Sequence, residues 1–399
     1  MIFLIFTGRG TIPGRVPERK LSMKKQHTWG HRIEPPADYL RAMIYQVIGC
    51  MSGSSMDGLD IAFCILEEQA GQWKADISIS ECVAFDSRWN ELLPRLTQLT
   101  ARELLLEHSR LGHWIGVQIK QFIERHQLEH RVHFIGSHGH TVFHEPASGM
   151  TFQLGEGAAI AAETGLPVIS DLRSMDVALG GQGAPVVPIG ELVLWKSFTY
   201  FLNIGGIANI SLHEDGKVSA FDVCAANRVL NLLASERNQV FDAEGTLAAS
   251  GQLNNDLLNE LNSLSYYNVP PPKSLANEFG TETVYRLIKK YPIPVEDQLR
   301  TYCEHIVQQI DRVVPGGKAR MMLSGGGALN TFLVNRLREV LEQKEIEVIL
   351  PDRQTIEYKE ALVMALMAAL RWREETNVLE SVTGARRSSA GGALWMGNE

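Results

Sequence analysis

The feature that most constrains the fold is a repeat. Tyr45-Gln-Val-Ile-Gly-Cys-Met51 reads as a strand, Ser52 to Asp60 as a Gly/Ser/Asp turn, Ile61 to Leu66 as a second strand and Trp73 to Phe85 as a third, alternating run that ends before a helix. The same order returns roughly one domain length later. There is a strand in YFLNI, the turn Gly205-Gly206, a strand in IANISL, the polar turn His213-Glu-Asp-Gly216, a strand in VSAFDV, then a helix from about Asn227. A three-stranded meander has to cover its faces with further elements. Each half supplies them: RVHFIGSHGH and LPVISD in the first, ARMMLSGGG and EIEVILP in the second, strands that end in small or polar residues. The expected fold class is therefore α/β, with two duplicated domains, each a mixed sheet flanked by helices, and a cleft between them. The boundaries are set at residues 43–197 and 198–399, with the last segment able to pack back on the first domain.

Residues 1–42 stand apart. GRGTIPGRVPERKLSMKKQHTWGHRIEPPADYLRA is basic, rich in Pro and Gly, and carries neither hydrophobic period, so it is expected to be a disordered extension or an over-called start, Met43 directly preceding the first strand. The formal charge of −8 argues against a nucleic-acid partner, whose binding would rest on clustered Lys and Arg. No apolar run approaches the ~20 residues of a membrane span, so no membrane partner is expected either. Five cysteines, scattered and without a C-x-x-C pair, suit a reducing compartment, and the cytoplasm is expected.

The turns that face the cleft carry the chemistry. Gly53-Ser54-Ser55-Met56-Asp57-Gly58-Leu59-Asp60 follows Ser52 and offers backbone N–H groups, hydroxyls and the carboxylates of Asp57 and Asp60, a mixture that cradles phosphates and holds hydrated Mg²⁺. Gly205-Gly206 is its counterpart in the second half. Gly325-Gly326-Gly327, between an apolar strand and a helix expected to begin near Leu329, is a third such turn. Three Gly-rich turns at strand ends of a duplicated chain point to a nucleotide. Other nucleotide signatures fail: Ala319 stands where a Walker loop needs Ser or Thr after Gly317-Lys318, and Asn330 stands where the dinucleotide fingerprint needs Gly. A hydrolase elbow G-x-S-x-G is missing as well. The rival reading is a zinc hydrolase, because His138 and His140 form an H-x-H at a strand end. Against it, no second His or Cys cluster offers the remaining ligands.

GCMSGSSMDGLD, GSHGHTVFHEP, SDLRSMDVALGGQGAPVVP, LNIGGIANIS, KSLANEFG, LSGGGALN, KEALVMALMA and SVTGA, in this order over residues 45 to 399, make the chain similar to the anhydro-N-acetylmuramic acid kinases. The resemblance implies the actin-like (RNase H-like) fold of sugar kinases, a homodimer, and ATP with Mg²⁺. It also implies conversion of 1,6-anhydro-N-acetylmuramic acid into N-acetylmuramic acid 6-phosphate, a step of peptidoglycan recycling. The family's ATP motif falls on Gly53 to Asp60, with Ser54 replacing Thr, and its catalytic aspartate falls on Asp176. Its sugar contacts fall on His138, Thr141, Arg173 and Glu360. Two departures stand out: His140 replaces Gln, and the family's D-T-G-P-G-N reads Asp222-Val-Cys-Ala-Ala-Asn227 beside the nucleotide, without its hydroxyl and both glycines. Another actin-like sugar kinase or ATPase, and the zinc hydrolase, are the alternatives.

The stretch SDLRSMDVALGGQGAPVVP fits the implied chemistry. Opening a 1,6-anhydro bond needs water at the anomeric carbon, while O6 leaves poorly unless its developing charge is captured. Transfer of the γ-phosphoryl group onto O6 captures it, so one base replaces the usual acid and base pair of glycoside hydrolysis. Asp176 is expected to be that base, Asp171 and Arg173 to orient loop and sugar, and Gly180 to Gly183 to form a wall close to the substrate.

Overall fold

The computed structural model of the chain describes residues 42–52, 58–214, 217–271, 273–276 and 278–397. The expected extension lies outside the described residues except for Ala42, and so do Gly53 to Asp57 of the first turn.

The first sheet contains β1 (Met43–Ser52), β2 (Leu59–Gln69), β3 (Gln72–Val83), β4 (Phe134–Ser137), β7 (Val168–Ser170) and β13 (Ala393–Trp395). Between them, β5 (His140–Glu145) and β6 (Met150–Leu154) form a separate hairpin. The second sheet contains β8 (Tyr200–Ile204), β9 (Ile207–Glu214), β10 (Lys217–Ala225), β11 (Ala319–Ser324) and β12 (Ile346–Ile349).

The repeat seen in the sequence is a repeat of topology. Read from the meander side, the orders are β3-β2-β1-β4-β7 and β10-β9-β8-β11-β12. In both sheets the first three strands are antiparallel and the next two pairings are parallel. The expected α/β architecture of two duplicated mixed sheets is thus met. β13 then returns the end of the chain to the first sheet, antiparallel to β7.

Central position explains the strand composition. β1 lies between β2 and β4 and is buried throughout Val47–Ser52, whereas the edge strand β3 alternates. One face of this sheet takes the helix Arg353–Trp372, whose residues Ala361 to Leu370 are all buried. Glycine makes that contact possible, since a Cβ at Gly49 or Gly136 would overlap the backbone of Ala361 or Met364. The other face takes Ala101–Arg125, which buries Leu111, Ile115, Ile119 and Phe122. Around the second sheet, Asn227–Ser235, Val295–Val313 and Thr331–Glu342 close a core of their own. One boundary differs from expectation: Gly326–Leu329 is a single 3-10 turn, and the α-helix starts at Thr331, where the side chain of Asn330 accepts from the N–H of Leu333.

The parallel strands β1, β4 and β7, like β8 and β11, run the same way within their sheets. His138, Asp171, Gly205 and Gly325 follow the carboxyl ends of β4, β7, β8 and β11, where open α/β sheets place their ligands.

Candidate active site

Of the residues expected to hold the sugar, His138 and Arg173 meet directly. His138 is 3% exposed, and its Nδ1 lies 2.9 Å from the carbonyl of Gly139. Arg173 Nε donates to His138 Nε2 over 2.8 Å. A guanidinium has no acceptor, so Nε2 must be the bare nitrogen and Nδ1 must carry the proton. Burial, followed by the charge of Arg173, pushes the His138 pKa down to about 3. Both ring nitrogens are engaged, which leaves His138 no lone pair for a metal. That removes the zinc reading, and among the described residues no group of three His, Cys, Asp or Glu could hold a metal ion.

Arg173 is pushed down to about 10 by burial, an effect that Glu360 opposes. Burial raises the pKa of Glu360 in turn, against the pull of Lys359 and Arg173. Arg173 and Glu360 are therefore electrostatic neighbours although they are far apart in sequence. Glu360 owes its place to a break in its helix, where Tyr358 leaves helical geometry at φ −118°, ψ 16°. The preceding Lys359 is tethered by its Nζ to Glu191 Oε1 at 3.0 Å, and His213 Nε2 lies 3.2 Å from Glu191 Oε2. Thr141 lies on the hairpin with Gln153 Nε2 3.5 Å away. His144 on the same strand also feels Arg173, and burial lowers its pKa.

His140, the departure from the family pattern, places Nδ1 3.0 Å from the hydroxyl of Ser52 at the end of β1. It thus links the hairpin to the strand that leads into the first phosphate turn, and it is a contact within the protein. Asp171 sits at a left-handed φ of 54° and receives a hydrogen bond from the hydroxyl of Ser174, so it shapes the loop.

Asp176 lies in the short helix Ser174–Ala178 and is 1% exposed. Its Oδ2 accepts from the N–H of Gly183 at 2.7 Å, and its Oδ1 from the hydroxyl of Thr383 at 2.7 Å. The glycine wall therefore approaches the carboxylate itself. A Cβ on Gly181 would overlap Asp176 Oδ2, while one on Gly183 would stand 3.6 Å from His144 and 3.7 Å from Arg173. Gly183 is crowded first by Val177, at 2.7 Å from that Cβ position, while its N–H holds Asp176. Each carboxylate oxygen keeps a second lone pair after these bonds, which is what a base requires.

Among the residues expected to hold the nucleotide, Gly58 has no room for a side chain, because a Cβ would lie 2.5 Å from the carbonyl of Val83. Leu59, 1% exposed, belongs to the core, and Asp60 is half-buried on β2 opposite Met51. In the second half, the N–H groups of Ala226 and Asn227 bind the carbonyls of Gly206 and Gly205 at 2.8 and 3.0 Å. Gly325, at φ +77°, and Gly327 are both crowded by Ile204, whereas Gly326 has only Asn227 Nδ2 near, at 3.6 Å. Two of the three glycines thus serve the join between β8 and β11, and Gly326 alone has an open face. Asp222 is tied through Oδ2 to the N–H of Leu275 at 2.8 Å, and burial raises its pKa against that bond.

In the altered Asp222–Asn227 stretch the pairing with β9 shifts register between Asp222 and Cys224. Val223 and Cys224 turn into the core, and Ala226 takes φ −133°, ψ −106°, outside the main regions open to L residues. Beside it, Arg228 lies over Gly206 with a buried Nε that has no hydrogen-bond partner among the described residues. An unpaired buried guanidinium N–H fits an anionic ligand.

The family model for anhydro-N-acetylmuramic acid kinase matches residues 45–397. An anhydro-N-acetylmuramic acid kinase of Vibrio parahaemolyticus is 33% identical over 368 residues, covering 88% of this chain and 98% of that protein. Its namesake from Vibrio cholerae is 33% identical over 363 residues (87% and 97%), and one from Bacillus cereus is 30% identical over 377 residues (86% and 96%).

Proposed function

This chain belongs to the anhydro-N-acetylmuramic acid kinase family, and on that premise we propose how its own residues divide the reaction. The family's kinases act in cell-wall recycling, opening the anhydro ring and phosphorylating the sugar. Asp176 takes a proton from the water that attacks the anomeric carbon. The observation that carries this is the fixed carboxylate, buried and held at both oxygens by Gly183 and Thr383. Arg173, with Glu360 and the neutral His138, binds and orients the sugar, and Thr141 borders it.

ATP would lie against Gly53 to Asp60, Gly205, Gly206, Asp222 and Gly325 to Gly327, with Arg228 offering its unpaired N–H to a phosphate. Mg²⁺, held through water by Asp57 and Asp60, would neutralise phosphate charge as O6 is phosphorylated. One or two carboxylates suffice for an ion that keeps most of its water. We further propose two lobes divided near residue 197, each built on one sheet, and a cytoplasmic homodimer. Cys50, Cys64, Cys224 and Cys303 as buried free thiols support the reducing compartment.

The test is Asp176→Asn, which preserves size but cannot accept the proton. ADP release and N-acetylmuramic acid 6-phosphate formation should fall together by ~10²–10⁴. Binding of ATP and sugar, followed by calorimetry, should stay close to wild type. Near-normal turnover in a folded variant would remove Asp176 from the role of base.

A further inference from the structure

We propose that Thr383 is a positioning residue for the reaction, acting through Asp176; the inference rests on the reading of Asp176 as the base. Thr383 lies in the C-terminal helix Glu380–Thr383 and is 2% exposed. Its hydroxyl has one proton and two acceptors in reach, Asp176 Oδ1 at 2.7 Å and the Leu379 carbonyl at 3.3 Å. The shorter distance and the charge of the carboxylate assign the proton to Asp176. With Gly183 N–H on Oδ2, this bond fixes the rotation of the carboxylate about its last torsion, a broad and otherwise poorly defined one.

The surrounding bonds separate this role from simple loop anchoring. The Thr383 carbonyl accepts from the N–H of Gln182 at 2.8 Å, and the N–H of Arg386 donates to Leu179 at 3.1 Å. These backbone bonds tie the C-terminal segment to the glycine loop without the hydroxyl. Thr383→Val keeps the shape and these backbone bonds; it removes the bond to the base together with the longer contacts of the hydroxyl to the Leu379 carbonyl and from the N–H of Ala385, at 3.3 and 3.4 Å.

The experiment uses the full chain with Thr383→Val, Thr383→Ser, Asp176→Asn and the double variant Asp176→Asn/Thr383→Val. Loss of one hydrogen bond to a charged group predicts a kcat roughly 10- to 100-fold lower in Thr383→Val, with both KM values within about twofold. Thr383→Ser should recover most of kcat, and the double variant should be no slower than Asp176→Asn, because Thr383 acts only through that carboxylate. Wild-type kcat in Thr383→Val, no recovery in Thr383→Ser, or a further loss in the double variant each overturns the proposal. If Thr383→Val does not fold, Thr383→Ala removes the same hydroxyl and is read in its place by the same criteria. An active Asp176→Asn would instead show that the base itself is misassigned.

Discussion

Arg173 Nε donates to His138 Nε2 across 2.8 Å, and this one bond fixes the histidine as a neutral ring protonated at Nδ1. Its consequence for acid stability has a definite sign. The folded pKa is about 3, below the ordinary value of 6.5, so between these two pH values the unfolded chain takes up a proton that the folded chain refuses. The contribution is therefore intact above pH 6.5 and is lost as the pH falls towards 3. His138→Asn should flatten the acid decline in unfolding free energy by roughly 1.4 kcal/mol per pH unit across that window. Urea titrations at several pH values read this directly, and parallel declines in variant and wild type would refute it.

A second prediction concerns the buried pair behind Glu360. Burial alone would raise the pKa of Glu191, but Lys359, with His213, holds it lowered. Lys359→Met would leave that carboxylate without its cation and should cost about 3–5 kcal/mol in unfolding free energy. Adding Glu191→Gln should restore much of the loss, since the charge left behind is what costs most. The sugar KM should rise in the single variant, because the next residue is Glu360. If stability is unchanged in Lys359→Met, the pair does not hold this helix in place.

The parts legible in the sequence are those written locally. Alternation, Gly-rich turns and their recurrence gave both meanders, and small or polar residues closing the parallel strands marked the strand ends at which the candidate site lies. Contacts made across the chain were not legible. Thr383 lies 207 positions from Asp176, and SVTGA has no periodicity or charge that would pair it with a carboxylate. The neighbour of Gly181 was not legible for a related reason. A glycine-rich wall announces a close approach, but the pattern does not say whether a substrate or a neighbouring side chain is approached. His138 shows the opposite limit: H-x-H spacing suggests a metal until the arginine on one nitrogen and the carbonyl on the other are seen.

The last prediction separates two adjacent glycines. Gly181 has no left-handed φ, so alanine is permitted by its backbone, yet its Cβ would overlap Asp176 Oδ2. Gly180 has φ +84° and nothing within 4 Å of the position a Cβ would take. Gly180→Ala should therefore cost about 1 kcal/mol of backbone strain and leave turnover close to wild type. Gly181→Ala has to displace either the loop or the carboxylate, and because a misplacement of about 1 Å can cost ~10²-fold, kcat should fall by that order. The two variants, compared by melting temperature and by ADP release, should fail in different ways, one mildly in stability and one in rate. Equal rates would mean that the wall does not set the position of Asp176, and that its glycines serve the path of the loop alone.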